Sequence, residues 1–352
     1  MHMADALLSP AVAGTMYVAS AAVAGLSVLK LKKEEKLQEE PTFKRLPTMA
    51  VMSALVFAGQ MINYTIPGTG SSGHICGGLL LTALLGPYAA FLSMICVLLI
   101  QCLFFADGGL MALGANIWNM AFYGCFVGYF LIFRPIMKTK LNTKLKLIIA
   151  SVTGCILTLQ MGAFSVVLET SLSGITDLPF KSFVLLMQPI HLAIGLVEGL
   201  ATSLILVFVH STSPDLIKGI SEKEVKKSSF KITVLVLVLS VAVIGGGFSL
   251  LASGNPDGLE WALFGNTEYS ESVTNMGLDE EDYGNKSSVA DKAEAVQEKT
   301  SFLPDYAFAS DSENPLGTAV SGILGSLVVA VIAAGVCFAG GFFRKKKLSK
   351  TN

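Results

Sequence analysis

The sequence predicts an all-α polytopic membrane protein. Of its 352 residues, 52% are hydrophobic and only 14% are charged. The apolar residues gather in runs close to the roughly 20 residues that a helix needs to cross a bilayer. The 25 Lys and Arg residues are clustered rather than spread along the chain. Composition, apolar runs and charge clusters therefore predict the same fold class.

Eight apolar segments have spanning length, and a ninth is shorter. The long segments lie at about 8–29, 47–66, 88–106, 112–133, 147–169, 183–210, 232–252 and 317–343. The first two are rich in Ala and Gly, which favours close helix packing, either within the chain or against a partner helix. The shorter segment covers residues 76–86, just before Pro87, and its status as a crossing decides the topology.

The positive charges favour one topology. Residues 30–45, 134–146, 218–231 and 344–350 hold 21 of the 25 Lys and Arg residues. Such clusters flank the cytoplasmic ends of membrane helices, and all four reach that side only if 76–86 is a crossing of its own. Nine crossings follow, with the amino terminus outside and the carboxyl terminus in the cytoplasm.

A change in composition divides the chain into two membrane domains. Residues 1–212 form the first, and the Ser- and Lys-rich residues 213–230 form a cytoplasmic linker. Residues 231–345 form the second, in which two membrane helices flank an outer loop at 253–316, and residues 346–352 are a tail. The loop has 14 acidic residues and three lysines. This acidity either concentrates cations or only keeps a loosely ordered loop soluble.

The amino terminus has the composition of a metal chelate. His2 is bulky and residues 1–9 have no recognisable leader, so we expect Met1 to keep a free α-amino group. This amine, the backbone nitrogen between Met1 and His2, and the His2 Nδ1 offer three nitrogens. A nearly planar chelate of this kind suits Ni(II) or Cu(II), with Co(II) as an alternative. The competing interpretation is that a histidine at position 2 has no ligand role.

A fourth nitrogen is available from the loop IPGTGSSGHICGG, which contains His74, one of only four histidines. The glycines of this loop allow tight turns, and the predicted topology puts His74 on the same outer face as the amino terminus. His74 is therefore our candidate for the fourth ligand.

Polar residues inside the membrane are functional candidates by default. His191 and Glu198 lie on one face of the predicted helix 183–210. We interpret His191, Glu198 and Asn116 as residues that support the site or contact the ion in transit, although a structural role for His191 is the alternative. Glu198 needs a polar partner, and the available ones are Asn63, Gln101, Asn116, Asn119 and Gln160.

Other classes of chemistry are excluded by the absence of their motifs. The six cysteines have no CxxC spacing and predict core packing rather than a disulfide framework. The sequence has no GxxxxGK[ST] phosphate loop, no HExxH and no GxSxG. We therefore predict that the chain is not an enzyme.

Several stretches resemble one known family. MHMADALLSP, IPGTGSSGHICGGLL, LLIQCLFFADGGLMALGANIWNMAFYGCFVGY and PIHLAIGLVEGLATS are similar to the substrate-capturing M subunit of the nickel and cobalt energy-coupling-factor (ECF) importers. This similarity covers residues 1–212. SGNPDGLEWA, residues 253–262, resembles the signature of the accessory N subunit, which is fused to the M subunit in many members.

The resemblance implies a fold, a ligand set and partners. The fold is a seven-helix S-component-like bundle plus two membrane helices that flank the outer acidic loop. The ion is held by the Met1 amine, the His2 backbone nitrogen, the His2 imidazole and His74. The partners are a transmembrane coupling subunit of the T or Q type and a pair of cytoplasmic ATPases, in the plasma membrane of a bacterium or archaeon.

The expected substrate is Ni²⁺, with Co²⁺ for cobalamin synthesis as the alternative. The SSGH context and PDGLE resemble the nickel branch, whereas cobalt members more often have Cys and Ser before the loop histidine. Two rival hypotheses remain. One is a membrane metal sensor or scaffold without transport, and the other is a gradient-driven transporter with Glu198 and His191 as proton carriers.

Overall fold

A computed structural model describes residues 2–36, 42–174, 179–220, 229–265, 284, 287–308, 310–311 and 314–348. Helices dominate, and the predicted all-α polytopic class is confirmed. Seven helices in the described part of the chain are long and apolar enough to cross a membrane.

The first domain is a helical bundle around one short, buried helix. Its helices are α1 Pro10–Lys36, α2 Thr42–Gln60, α3 Gly78–Leu85, α4 Pro87–Phe105, α5 Leu113–Met137, α6 Thr143–Ser173 and α7 Phe180–Thr212. Residues Trp118–Phe133 of α5 have π-type winding. Short 3-10 turns at Asp5–Leu7 and Pro214–Leu216 lie at its two ends.

The second domain packs against the first along α2. It contains α8 Phe230–Gly246, α9 Gly258–Phe264, α10 Ser288–Thr300 and α11 Leu316–Leu348. A 3-10 turn at Phe248–Leu251 follows α8, and another at Pro304–Tyr306 follows α10. Helices α8 and α11 contact each other and α2. The amphipathic α10 and the short α9 lie at the end of the bundle where the candidate metal centre is found.

Two predicted crossings have different bounds in the structure. The helix predicted at 47–66 starts earlier, at Thr42, and ends at Gln60, and 76–86 contains only the eight-residue α3. At 1.5 Å per residue α3 is about 12 Å long, less than half the roughly 30 Å bilayer core. All its residues are buried, so protein rather than lipid surrounds it.

Despite its length, α3 carries the chain between the two ends of the bundle. The backbone N–H of Lys218, just after α7, donates to the Ala83 carbonyl oxygen at 2.8 Å. The end of α3 therefore lies beside the end of α7, whereas its start follows the His74 loop. We call these two ends the linker end and the site end.

A β-hairpin precedes α3 where the sequence predicted a loop. β1 Tyr64–Ile66 and β2 Ser71–Gly73 pair antiparallel, with Tyr64 opposite Gly73. Gly68 and Gly70 of the turn have φ of 79° and 72°, values that residues with a side chain rarely adopt. The hairpin fixes the backbone immediately before His74.

We expect Gly322→Ala to destabilise the second domain. Helices α8 and α11 cross at Gly245 and Gly322, and a Cβ on Gly322 would collide with the Gly245 carbonyl oxygen. Overpacking of this kind costs about 1–3 kcal/mol. Thermal unfolding of the full chain in detergent measures the effect. The matched control is Gly335→Ala in the same helix, where a Cβ meets no atom within 4 Å. Equal midpoints for the two variants would contradict the prediction.

Candidate metal centre

The main chain near the amino terminus is anchored by hydrogen bonds to α5 and to the loop before it. The Met3 N–H donates to Asn116 Oδ1 at 2.8 Å, and Asn116 Nδ2 donates to the Met3 carbonyl oxygen at 3.1 Å. The same oxygen accepts from the Gly109 N–H at 2.9 Å. Met3, Leu7 and Leu8 are buried. Chain ends are usually mobile, so this anchoring holds His2 in a defined place. The predicted ligand Met1 lies outside the described residues.

The His2 ring lies between Asp107 and Gln101. Its Nδ1 is 3.0 Å from Asp107 Oδ1, and its Nε2 is 3.3 Å from Gln101 Oε1. Burial, together with the amino-terminal charge, lowers the pKa of His2 to about 3, and burial raises the pKa of Asp107. The first shift favours the neutral imidazole, and the second favours the protonated carboxyl. A metal ion bound to Nδ1 would occupy the side of the ring that faces Asp107.

The His74 ring stacks on the His2 ring. Their centroids are 5.3 Å apart and their planes differ by 22°. His74 Nδ1 donates to the Ile75 carbonyl oxygen at 3.2 Å, which leaves the lone pair on Nε2. Burial first, then the amino-terminal charge and the His2 ring, lower the pKa of His74 to about 4. The structure thus places two of the predicted ligand residues side by side as neutral imidazoles.

Two glutamines connect the surroundings of the two histidines. Gln101 Nε2 donates to Gln60 Oε1, and Gln60 Nε2 donates to the Cys76 carbonyl oxygen, both at 2.8 Å. Both glutamines are buried. They form a hydrogen-bonded chain from the His2 ring to the backbone that follows His74. The sequence analysis missed Gln60 and Asp107, whose only local signal is a polar residue at the end of an apolar run.

The second domain contacts the His74 hairpin through residues 253–256. The Ser72 N–H donates to the Pro256 carbonyl oxygen at 2.8 Å, and its Oγ donates to the Asn255 carbonyl oxygen at 2.7 Å. Just before the other strand, the Ser253 N–H donates to the Asn63 carbonyl oxygen at 2.6 Å, and the Ser253 hydroxyl lies 2.8 Å from that of Thr65 in β1. Residues 253–256 therefore contact both strands of the hairpin.

Asp257, Gly258 and Glu260 of the PDGLE motif each have a structural role. Asp257 Oδ1 accepts from the N–H groups of Leu259 and Glu260, and Glu260 Oε2 accepts from the Asp257 N–H. This capping box begins α9, and its D-x-x-E spacing was visible in the sequence. A Cβ on Gly258 would lie 2.8 Å from Ile190 Cγ2 and 3.1 Å from His191 Cε1, so glycine allows α9 to contact α7.

The pKa values of the two carboxyl groups of the motif are shifted in opposite directions. Although burial raises it, the amino-terminal charge and the hydrogen bond from the Glu260 N–H hold the pKa of Asp257 below its usual range. The negative charge of Asp257, together with burial, raises the pKa of Glu260 to about 7. Asp257 therefore brings a negative charge from the second domain to the site end.

The second domain also holds the loop that carries Asp107. The Tyr306 hydroxyl donates to Asp107 Oδ2. Gln297, in α10, donates through Nε2 to the Gly108 carbonyl oxygen at 2.8 Å, and its Oε1 accepts from the Leu110 N–H at 3.2 Å. Residues on both sides of the two histidines are thus hydrogen-bonded to the second domain.

The structure corrects the expected partner of Glu198. Its carboxylate accepts from the backbone N–H groups of Cys76 and Gly77 at 2.7 and 2.9 Å, so the expectation of a side-chain amide partner was wrong. Asn119 donates instead to Glu169 Oε2 at 2.7 Å, a buried carboxyl that the sequence analysis missed. Glu198 anchors the backbone that follows His74, and Asn116 anchors Met3.

The described side chains do not by themselves form a preformed metal site. Among residues whose positions are described, no three His, Cys, Asp or Glu side chains converge in a way that could hold an ion. The predicted chelate differs from such a site, since two of its four nitrogens belong to the main chain and one of those belongs to Met1.

Comparison with known proteins puts this membrane bundle among the transport proteins for transition metals. Residues 2–216 match the family described as cobalt uptake substrate-specific transmembrane region, and residues 231–340 match the PDGLE domain. The chain belongs to this nickel and cobalt transport family, as an M portion joined to an N portion. Its members are metal transport proteins rather than enzymes.

Individual relatives agree with this assignment. A putative fused nickel transport protein of Archaeoglobus fulgidus is 32% identical over 94% of this chain and 96% of its own length. A fused nickel transport protein of Rhodobacter capsulatus is 26% identical over 97% of each chain. A cobalt transport protein of Sorangium cellulosum is 33% identical over 49% of this chain and 76% of its own. The crystal structure of a truncated transition metal transporter, 33% identical, superposes with a TM-score of 0.51 and covers 60% of this chain and 99% of that one.

We expect the metal-free protein to lose stability as the pH falls from 6.5 to 4. The pKa of His74 is about 4 in the folded protein and about 6.5 when unfolded, so the unfolded state binds more protons in this window. The free energy of unfolding therefore decreases with falling pH, by on the order of 1–2 kcal/mol for this ring at pH 5. Thermal unfolding midpoints of wild type and His74→Gln at pH 7 and 5 provide the measurement. An equal pH-dependent drop in both proteins would contradict the assignment.

Proposed function

We propose that the protein captures Ni²⁺ at the site end, outside the plasma membrane, and delivers it inward as part of an ATP-driven importer. The observation that carries the proposal is the close approach of two neutral, partly buried imidazoles, His2 and His74, beside the anchored main chain of Met3. Neutral nitrogen ligands bind a divalent ion without first having to lose a proton.

The proposed ligands are the Met1 amine, the His2 backbone nitrogen, the His2 Nδ1 and a ring nitrogen of His74. The hydrogen bond from His74 Nδ1 to Ile75 leaves Nε2 as the available nitrogen. A main-chain chelate of this kind requires the first residues to be held in place, and the contacts of Met3 with Asn116 and Gly109 support it. Asp107 and Asp257 supply carboxyl groups near the cation.

Nickel is preferred over cobalt for two reasons. A plane of four nitrogens suits Ni(II) better than Co(II), and two fused relatives that match along nearly the whole chain are named as nickel transport proteins. Cobalt uptake by the same mechanism is the alternative, because relatives of the first domain are named as cobalt transport proteins.

The two domains have different proposed tasks. The capturing domain comprises residues 1–212, and the accessory domain comprises residues 231–345 after the linker 213–230. The hydrogen bonds of Ser72 and Asp107 to the accessory domain support a role in holding the metal site in its binding conformation. The acidic outer loop includes residues outside the described part of the chain.

The proposed orientation puts the site end outside and the linker end in the cytoplasm. The Lys and Arg clusters favour this orientation. The linker end would then face the proposed partners, a transmembrane coupling subunit of the T or Q type and two cytoplasmic ATPases. These partners supply the energy, since this chain has no phosphate-binding loop of the GxxxxGK[ST] type.

Insertion of two Ala between Met1 and His2 should abolish high-affinity Ni²⁺ binding. The insertion keeps every side chain but puts two further residues between the amine and the His2 backbone nitrogen, so the amine, that nitrogen and Nδ1 no longer close adjacent chelate rings. Competition titration of purified full-length protein with Ni²⁺, Co²⁺ and Cu²⁺, followed by the visible absorption of the planar complex, measures the loss. We expect at least a hundredfold weaker binding, comparable with His74→Ala, at about 1.4 kcal/mol per factor of ten.

The matched control for this insertion is two Ala between Ser9 and Pro10, after the Met3 anchor and before α1. This control should bind Ni²⁺ within a few-fold of wild type. Normal binding by the Met1–His2 insertion would show that the amine is not a ligand.

Accumulation of radioactive nickel should require the ATPase partners. Cells that express the chain with the coupling subunit and active ATPases are compared with cells whose ATPases are inactivated. The expected result is loss of uptake on inactivation with Ni²⁺ binding unchanged. Uptake that persists without ATPase activity but stops with an uncoupler would favour the gradient-driven alternative, and no uptake in any condition would favour a sensor or scaffold.

A further inference from the structure

His191 has one ring nitrogen engaged and one without a partner. Its Nδ1 donates to the Met187 carbonyl oxygen at 2.8 Å. Because a carbonyl oxygen can only accept, Nδ1 carries the proton and Nε2 carries the lone pair. Nε2 is buried and has no hydrogen-bond partner among the described residues. Metal-binding histidines are typically oriented in this way, with the other N–H tied to a carbonyl oxygen.

The unpartnered edge of the His191 ring faces a small cavity at the site end. His74, Cys76 and Asp257 line the same cavity, and Gly258 closes it from the accessory domain. A Cβ on Gly258 would lie 3.1 Å from Cε1 and 3.6 Å from Nε2 of His191, which identifies the edge of the ring that faces the cavity. His191 and a candidate capture ligand, His74, therefore border one space.

A second cavity continues toward the linker end. It shares Cys76 and Leu159 with the first cavity, and Asn119, Thr158 and Glu198 also line it. Glu198 follows His191 by seven residues in α7, or about 10 Å along the helix. The two cavities thus lie one after the other, starting beside His74. The first is lined by the His191 ring nitrogen, and the second by side-chain oxygens of Asn119, Thr158 and Glu198.

We propose that His191 Nε2 is a transit ligand, which receives the ion from the chelate at His2 and His74 as the ion leaves that site. The proposal rests on the metal-uptake function proposed above and extends it inward. A single neutral imidazole binds a divalent ion less tightly than a four-nitrogen chelate. This difference suits a position that the ion must both enter and leave.

Two substitutions separate a ligand role from a structural role. His191→Asn places an amide near the position of Nδ1, so it can keep the bond to Met187 but has no atom at Nε2. His191→Gln places an amide oxygen near the position of Nε2 and loses the bond to Met187. The matched control is His210→Asn in the same helix, because His210 lines neither cavity.

Two measurements are made on the full chain: equilibrium Ni²⁺ binding to the purified protein, and nickel uptake in cells that contain the coupling subunit and ATPases. For His191→Asn we expect binding within about threefold of wild type and uptake reduced at least tenfold. His191→Gln should recover part of the uptake, and His210→Asn should match wild type in both measurements.

Three outcomes would overturn the proposal. Normal uptake by His191→Asn would exclude a ligand role for Nε2. Better uptake by the Asn variant than by the Gln variant would assign His191 a structural role through Met187. Loss of binding as large as that of His74→Ala would place His191 in the capture site itself. A wild-type protein that neither binds nor imports nickel would refute the proposed function itself. The two failures are distinguishable, because the three outcomes above are read from the His191 variants and this one from the wild type.

Discussion

The site end of the structure depends on the anchoring of the main chain at Met3. The Met3 main chain is hydrogen-bonded to Asn116 and Gly109. The side chains of Met3, Leu7 and Leu8 are buried in the core. A buried backbone needs its polar groups satisfied, and these hydrogen bonds meet that need without the regular pattern of a helix. His2, next to this anchor, contacts both the His74 ring after the hairpin and Asp107 in the following loop.

The second domain contacts the site end on two sides. Residues 253–256 bind the hairpin that precedes His74, and Tyr306 and Gln297 bind the loop that carries Asp107. Fusion of the two domains in one chain keeps these contacts at a high effective concentration. The PDGLE motif is therefore explained by structure: an acidic cap, a glycine at a close helix contact and a reciprocal glutamate.

Sequence reasoning succeeded where the signal is local and failed where contacts are distant. Apolar runs revealed the membrane helices, and short motifs revealed the family. The partner of Glu198 was predicted wrongly because backbone N–H groups, and not only side-chain amides, can satisfy a carboxylate. The N–H groups of Cys76 and Gly77 are available to Glu198 because the chain is not helical just before α3. The length of α3 was also overestimated, since hydropathy measures apolarity and not where a helix starts.

The sequence by itself determined the membrane class, the all-α fold and the family, because hydropathy, charge clusters and motifs are properties of neighbouring residues. Only the tertiary structure decided that His2 and His74 stack, that Gln101 and Gln60 link their surroundings, and that Tyr306 reaches Asp107 across 199 positions of sequence. Those contacts follow from how helices pack around the short α3, and no periodicity along the chain encodes a packing arrangement of that kind.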